Sequence, residues 1–329
     1  MITRSTKEGL QKSFFLQSKS KAYMEMLQNC EAVADTNVSV MILGESGTGK
    51  DVIARYIHAC SDRSDRPFVV INCNAYPDTL LESELFGHEQ GSFTGATRTR
   101  KGRFEQANTG TLFIDEIGDV SMTTQVKLLR AIETKQIERV GSNQLQQVEF
   151  RLLSATNKDP FIEVQAGRMR EDFLYRISTV VVRVPSVRER YEDLPDLLHF
   201  FMEQAQKDFH RPIRGIQPKV QEFLFNYDYP GNMREMKNII ERMVVLSENG
   251  IITERGLPIL YNVNNPVSKE PAKNNFDKIL AWKEFKQKSE SAYLQWVLEQ
   301  TGHNVTEAAR RLGVSSRQLF NKIAEYKLR

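Results

Sequence analysis

Between about residues 38 and 184, short apolar, β-branched runs alternate with stretches of helical spacing. The runs Val38–Leu43, Phe68–Ile71, Thr111–Ile114, Val148–Ser154 and Thr179–Val184 are continuous rather than alternating, the pattern of strands buried on both faces of a parallel sheet. Strands separated by helices predict βαβ units and an α/β fold, assigned here to residues 18–186. From Tyr191 the strand signal stops. Leu194, Leu197, Leu198 and Phe201, then Ile239, Ile240, Met243 and Val244, recur at helical spacing as far as Leu246. A smaller helical subdomain is expected over 187–261. Residues 262–277 are rich in Asn, carry Pro266 and Pro271 and hold few apolar side chains. That composition marks a linker, taken as 262–282, before an all-helical segment at 283–329.

At roughly 100–200 residues per domain, 329 residues with 40% hydrophobic content leave room for two or three packed domains. No apolar run approaches the ~18 residues of a membrane-spanning helix, and the start MITRSTKEGLQKSFF lacks the features of a signal peptide. No membrane partner is expected, and the cytoplasm is the expected compartment. Cys30, Cys60 and Cys73 are odd in number and not closely paired, which disfavours a disulfide framework or a cysteine zinc site. The net charge of +3 gives little hint of a nucleic-acid partner until it is divided. Residues 301–329 hold Arg310, Arg311, Arg317, Lys322, Lys327 and Arg329 against Glu307 and Glu325, a net of +4, leaving −1 for residues 1–300.

Three stretches carry phosphate chemistry. Gly44-Glu45-Ser46-Gly47-Thr48-Gly49-Lys50 follows a predicted strand and opens a predicted helix, the context in which a G-x-x-x-x-G-K loop curves its backbone N–H groups around phosphates while the lysine adds charge. Asp51 stands where Ser or Thr is usual, so magnesium has to rely on water and other carboxylates. Thr111-Leu-Phe-Ile-Asp115-Glu116 supplies them: an acid at a strand's carboxyl end to hold Mg²⁺ through water, and a second to polarise attacking water. Asn157 closes the strand that begins at Val148 and is placed to meet the γ-phosphate or that water. Arg170, Arg176 and Arg234 are candidates to stabilise transferring phosphoryl charge, although spacing alone does not bring them to a phosphate.

Taken together, GESGTGKD, ESELFGHEQGSFTGA, GTLFIDEI, LLSATNKD, MREDFLYRI and YPGNMREMKNIIER stand in the order and spacing of the AAA+ domain of bacterial enhancer-binding proteins, the activators of sigma-54 RNA polymerase. The chain resembles that family over about residues 18–329. Gly91-Ser92-Phe93-Thr94-Gly95-Ala96 closely matches the family's GAFTGA loop, with Ser92 in place of Ala. The resemblance implies an AAA+ P-loop ATPase with a helical lid, using ATP and Mg²⁺. Lys50 and the rest of 44–51 bind nucleotide, Asp115 serves magnesium and Glu116 activates water. Asn72 holds that glutamate inactive until the remodelling loop engages, and Asn157 is a first sensor. Arg234 is a second sensor from the lid, while Arg170 and Arg176 are fingers entering a neighbouring subunit of a ring, usually a hexamer. Phe93 and Thr94 form the tip that reaches the sigma factor; two glycines allow a tight exposed turn there, and an aromatic supplies an anchor.

Asn304 to Tyr326 read as two helices broken at Gly313, with Ala308, Ala309 and Leu312 apolar in the first and Leu319, Phe320 and Ile323 facing back from the second, which Ser315 can cap. In a helix-turn-helix the second helix enters the major groove, so Ser316, Arg317, Gln318, Asn321 and Lys322 are the DNA-binding candidates. The segment is similar to the Fis-type domain that ends most members of the family. A preceding helix with Ala292, Leu294, Trp296, Val297 and Leu298 is expected to dimerise it.

The expected whole is an oligomeric ATPase, dimer to hexamer, that binds double-stranded DNA upstream of promoters and remodels the sigma-54 RNA polymerase holoenzyme. The competing readings are a DNA-binding repressor that no longer remodels sigma-54, and a remodeller of another protein. Only about 17 residues precede the ATPase region. If Met1 is the native start, no room is left for a sensory domain, and control is expected from a separate regulatory protein, from expression level or from assembly on DNA; a shortened or split gene is the competing explanation.

Overall fold

The computed structural model describes Leu16, residues 18–258 and, towards the C-terminus, residues 291, 294, 295, 297, 298, 301 and 304–326. The expected linker at 262–282 and, apart from Leu16, the extension at 1–17 lie outside the described residues, as do Ala292, Trp296, Lys327 and Arg329. The chain divides into two compact units, residues 1–259 and 260–329.

In the first unit five strands, β1 (Val40–Leu43), β2 (Phe68–Asn72), β3 (Thr111–Asp115), β4 (Arg151–Thr156) and β5 (Val180–Arg183), form one parallel sheet in the order β2-β3-β4-β1-β5. Successive residues of a strand enter opposite cores, as a two-residue period requires. Met41, Leu112, Ile114 and Leu152 join Leu85, Phe104, Leu128 and Phe173 on one face. Val40, Ile42, Phe113, Leu153 and Ala155 join Tyr23, Leu27, Ile53 and Ile57 on the other. Four strands lie within a residue or two of their expected limits, but β4 begins at Arg151 rather than Val148. The reason is a competing partner: Gln136–Glu138 and Leu145–Gln147 pair as a short antiparallel hairpin, and Val148 N–H still donates to Lys135 O. The chain joins the sheet only where Arg151 pairs with Thr111. Arg151 itself is buried in the strand, its guanidinium donating to the carbonyls of Val33 and Ala34 at the end of helix Lys21–Ala34.

The helical subdomain contains Leu194–Phe209, Pro218–Asn226 and Asn232–Val245, with all eight of the periodic apolar residues named above buried. Gly215–Ile216 and Ile251–Ile252 add a two-residue parallel strand pair that the periodicity did not announce.

The second unit contains helices Val305–Leu312 and Ser316–Tyr326. Asn304 caps the first through its side-chain oxygen, which accepts from Thr306 and Glu307 N–H, and Gly313 at φ +64° ends it. Leu294, Val297 and Leu298 bury against Ala308, Ala309 and Leu319 in the core of their own unit. Phe320 departs from expectation: it is 64% exposed, whereas Leu319 is buried and Ile323 packs on the core. One residue corresponds to a turn of about 100° around a helix, which carries Phe320 off the buried stripe that Leu319, Ile323 and Tyr326 share.

Candidate functional site

The carboxyl ends of β1, β2, β3 and β4 converge, which is where an open parallel sheet binds its ligands. After β1 the chain turns through Gly47 at φ +79° and Gly49 at φ +89° into helix Lys50–Ala59. No side chain caps that helix, so its first-turn N–H groups form a cradle of the kind an anion fills. Lys50 is buried, and its ammonium donates to the carbonyls of Gly44 (2.9 Å) and Glu45 (3.2 Å). Burial lowers its pKa, and the carboxylates of Glu116 and Asp115 partly offset the shift.

Across the site, β2 and β3 end in register with Asn72 opposite Asp115. Asp115 is held at both oxygens, Oδ1 by the Glu116 N–H (3.0 Å) and Oδ2 by the Asn72 amide (3.0 Å). The Asn72 side chain reaches Asp115 here rather than Glu116, the partner expected for it. Register explains the difference, since Glu116 lies one residue past the pairing, in a left-handed turn at φ +53°. Its Oε2 is buried with no hydrogen-bond partner, and burial raises its pKa, with Lys50 opposing. The backbone N–H of Asn157, just beyond β4, favours the Glu116 carboxylate and opposes that rise. Burial likewise raises Asp115. A carboxylate with an orphaned oxygen facing a buried lysine suits a site that receives water and a phosphate–metal unit. Among the described residues no group of three or more His, Cys, Asp and Glu can hold a metal. A magnesium ion here therefore depends on phosphate and water as well as Asp115, which fits its few-carboxylate habit.

The lid closes directly on the loop. A Cβ on Gly47 would stand 2.2 Å from Gly231 O, and one on Gly49 would stand 2.7 Å from Met233 Cε. Arg234 donates to Ser46 Oγ (3.1 Å). Sequence reasoning missed Asn232, fully buried, whose amide donates to Glu45 Oε2 and Ser46 O (3.1 Å each) while its oxygen accepts from Val187 N–H (2.9 Å). It also missed Arg188, which clamps Glu45 with both terminal nitrogens and lowers that carboxyl's pKa. The Pro-Gly-Asn turn was the available signal for Asn232; only the fold gives it a partner nearly two hundred residues away. Asp51 lies exposed in the first helical turn.

Two expected site residues stay apart from this cluster. Arg170 makes a bidentate pair with Asp172 (2.9 and 2.7 Å), and Arg176 is exposed and weighs on the charge of Lys135. Both belong to the surface around helix Glu171–Ile177.

The Gly91–Ala96 loop closes on itself, with Gly91 N–H donating to Ala96 O (2.9 Å) and Ala96 N–H to Phe93 O (3.0 Å). Gly91 and Gly95 have φ of +80° and +107°, and nothing lies within 4 Å of a Cβ at either. Phe93 leans edge-on against His88 at 5.1 Å, while Thr94 is exposed. Ser92 packs where a Cβ on Gly141 would be 2.5 Å away, and its hydroxyl is buried without a partner.

The sigma-54 interaction domain family matches residues 16–183, the AAA+ ATPase lid domain matches 188–274, and the bacterial regulatory protein, Fis family, matches 287–326. The chain belongs to the sigma-54-dependent activators. It is 44% identical over 311 residues to the transcriptional regulatory protein ZraR of Klebsiella oxytoca, covering 94% of this chain and 69% of that one. The Nif-specific regulatory protein of Azotobacter vinelandii is 44% identical over 295 residues, 88% of this chain and 55% of that protein. Among solved structures, NtrX from Brucella abortus in complex with ATP superposes with a TM-score of 0.69 at 31% identity, over 96% of this chain and 70% of that one. The AAA+ architecture, the lid and the Fis-type DNA-binding domain of an activator are thereby shown.

In this activator's Fis-type domain the five DNA-binding candidates separate. Ser316, Arg317 and Asn321 are exposed. Gln318 is occupied, because its Oε1 accepts from Ser315 N–H (3.0 Å) and Oγ–H (2.9 Å) while its N–H donates to Ser315 Oγ (3.2 Å). That reciprocal pair caps the helix, with Gln318 itself exposed. Lys322 folds back on Tyr326, its ammonium 3.0 Å from the hydroxyl. Among the described residues, no helix is long and apolar enough to cross a membrane.

Proposed function

We propose that this chain is an ATP-hydrolysing, cytoplasmic activator that opens promoters held closed by the sigma-54 RNA polymerase holoenzyme. The reading rests on one observation: Lys50, Asp115, Glu116, the Asn157 backbone and the lid residue Arg234 converge on one glycine-rich loop, with a buried carboxylate oxygen left unpartnered. In this reading 18–186 is the motor, 187–261 its lid and 283–329 the DNA-binding module.

Residues 44–51 hold ATP, with Lys50 exchanging its carbonyl partners for phosphate oxygens. Asp115, already oriented by Asn72, receives magnesium through water; the ion when bound draws charge from the phosphates. Glu116 takes the proton of the attacking water, and Asn157 and Arg234 report the state of the γ-phosphate to β4 and the lid. Asn72, by fixing Asp115, sets the angle at which Glu116 follows and so tunes rather than grips it. Arg170 and Arg176 serve a neighbouring subunit's site in a ring, which agrees with their distance from the cluster in their own chain. Gly91–Ala96 contacts the sigma factor, and the second helix of the Fis-type domain reads DNA upstream of the promoter.

Open-complex formation by sigma-54 holoenzyme with ATP tests the whole. The native protein opens the promoter, Glu116→Ala binds ATP but does not open it, and Thr94→Ala hydrolyses ATP without opening. A native protein that hydrolyses ATP yet opens no sigma-54 promoter would overturn the reading in favour of a repressor. Mixing Arg170→Ala with Lys50→Ala subunits restores part of the ATPase if fingers act in trans, and no recovery in assembled mixtures defeats that assignment.

A further inference from the structure

Phe320 is an aromatic side chain left 64% exposed, whereas Leu294, Val297, Leu298 and Leu319 of the same unit are buried. Leaving a phenylalanine ring in water forfeits the free energy of burying it, so an occupant for its face is worth seeking. The helix gives its direction. With Leu319 at the centre of the buried stripe, steps of about 100° put Arg317, Asn321 and Ala324 on the outward side, with Phe320 on the flank that lies within about 60° of Arg317 and Ala324 and about 100° from Asn321. Gln318 falls on the opposite flank, tied to Ser315. The outward face is therefore Arg317, Phe320, Asn321 and Ala324: a cation, an aromatic, an amide and a methyl.

A protein partner would have to desolvate Arg317 beside the ring and meet the +4 charge of residues 301–329. A DNA major groove meets both demands, since it is anionic and presents one apolar group among its base edges, the C5 methyl of thymine. We propose that Phe320 is a specificity-determining residue of the DNA-binding helix, packing its ring on a thymine methyl while Arg317 and Asn321 make the polar base contacts. This rests on the reading of this helix as the one that enters the groove, and it adds Phe320 to the set that reads sequence.

The full-length protein is first used to enrich binding sites from a random duplex pool. In the enriched site each thymine is replaced singly by uracil, which removes only the methyl, and affinities are measured for native protein, Phe320→Ala and Phe320→Leu. Native protein loses about fourfold at one thymine per half-site, the value of one buried methyl group. Phe320→Ala loses less than about 1.5-fold there, and Phe320→Leu keeps most of the sensitivity, as an apolar contact predicts. Equal methyl sensitivity at every position in native and Phe320→Ala proteins overturns the proposal. So does a Phe320→Ala protein whose base preferences are unchanged but whose oligomeric state in sedimentation shifts, which would make Phe320 a protein contact. If native protein enriches no sequence at all, the underlying reading of this helix as a base reader fails instead.

Discussion

Two glycine-rich loops of the first unit use glycine for different reasons. In Gly44–Lys50 the glycines combine positive φ with close contact: Gly47 and Gly49 have the lid's backbone and Met233 where a Cβ would stand. In Gly91–Ala96 the conformation is just as unusual, but nothing occupies the space around Gly91 or Gly95. The first loop is part of a packed joint between motor and lid. The second is a self-closed turn resting on His88 and Gly141, with its tip in solvent. In the proposed reading, rigid pre-organisation serves the loop that meets phosphate charge, and freedom to rearrange serves the loop that engages a partner.

Substitutions on the nucleotide side should have the largest effects. Glu116→Gln is expected to lower ATP turnover by about 10²–10⁴ with ATP affinity retained, as for the loss of a general base. Because burial raises the Glu116 pKa and only the carboxylate accepts a proton, the acid limb of the rate profile should lie above that of an ordinary glutamate and vanish in Glu116→Gln; a surviving limb assigns it to Asp115. Gly47→Ala joins a steric clash to a left-handed strain, so ATP affinity by calorimetry should fall about a hundredfold, roughly 3 kcal/mol. Retained affinity would show that the lid does not rest on the loop in solution.

The effector loop should respond differently. Gly95→Ala meets no neighbour and costs only about 1–2 kcal/mol of local strain. Basal ATPase should stay within about twofold while promoter opening drops, so an equal loss of both would erase the contrast between the loops. The smallest effect is expected for Ser92→Ala, which deletes a buried hydroxyl without a partner. Thermal unfolding should show a change of no more than about 1 kcal/mol, in the stabilising direction.

Much of this was legible in the chain. Continuous apolar runs located the five strands, and in β1, β3 and β4 the reason holds that a strand covered on both faces has no solvent side to alternate with, whereas the edge strand β5 leaves Val181 exposed. The P-loop, the acids after β3 and the helix break at Gly313 were legible because they are local: a few residues suffice to make a phosphate cradle, a strand-end carboxylate pair or a C-cap. Three features were not. The start of β4 depended on a hairpin competing for the same backbone. The bond between Gln318 and Ser315 shows only in the folded helix cap, and Phe320 looks like a core residue until its angle relative to Leu319 is fixed.

The order of strands and helices, the charge division and the phosphate-binding motifs were set by the sequence alone, because each depends on neighbours within a turn or a strand. Tertiary structure decided what each polar side chain meets. Asn72 pairs with Asp115 because two strands end in register, Asn232 joins Glu45 because the lid returns to the P-loop, and Arg170 is left to Asp172 because helix Glu171–Ile177 lies elsewhere. Hydrogen bonds act over about 3 Å, and which groups come that close is settled only when distant segments are packed.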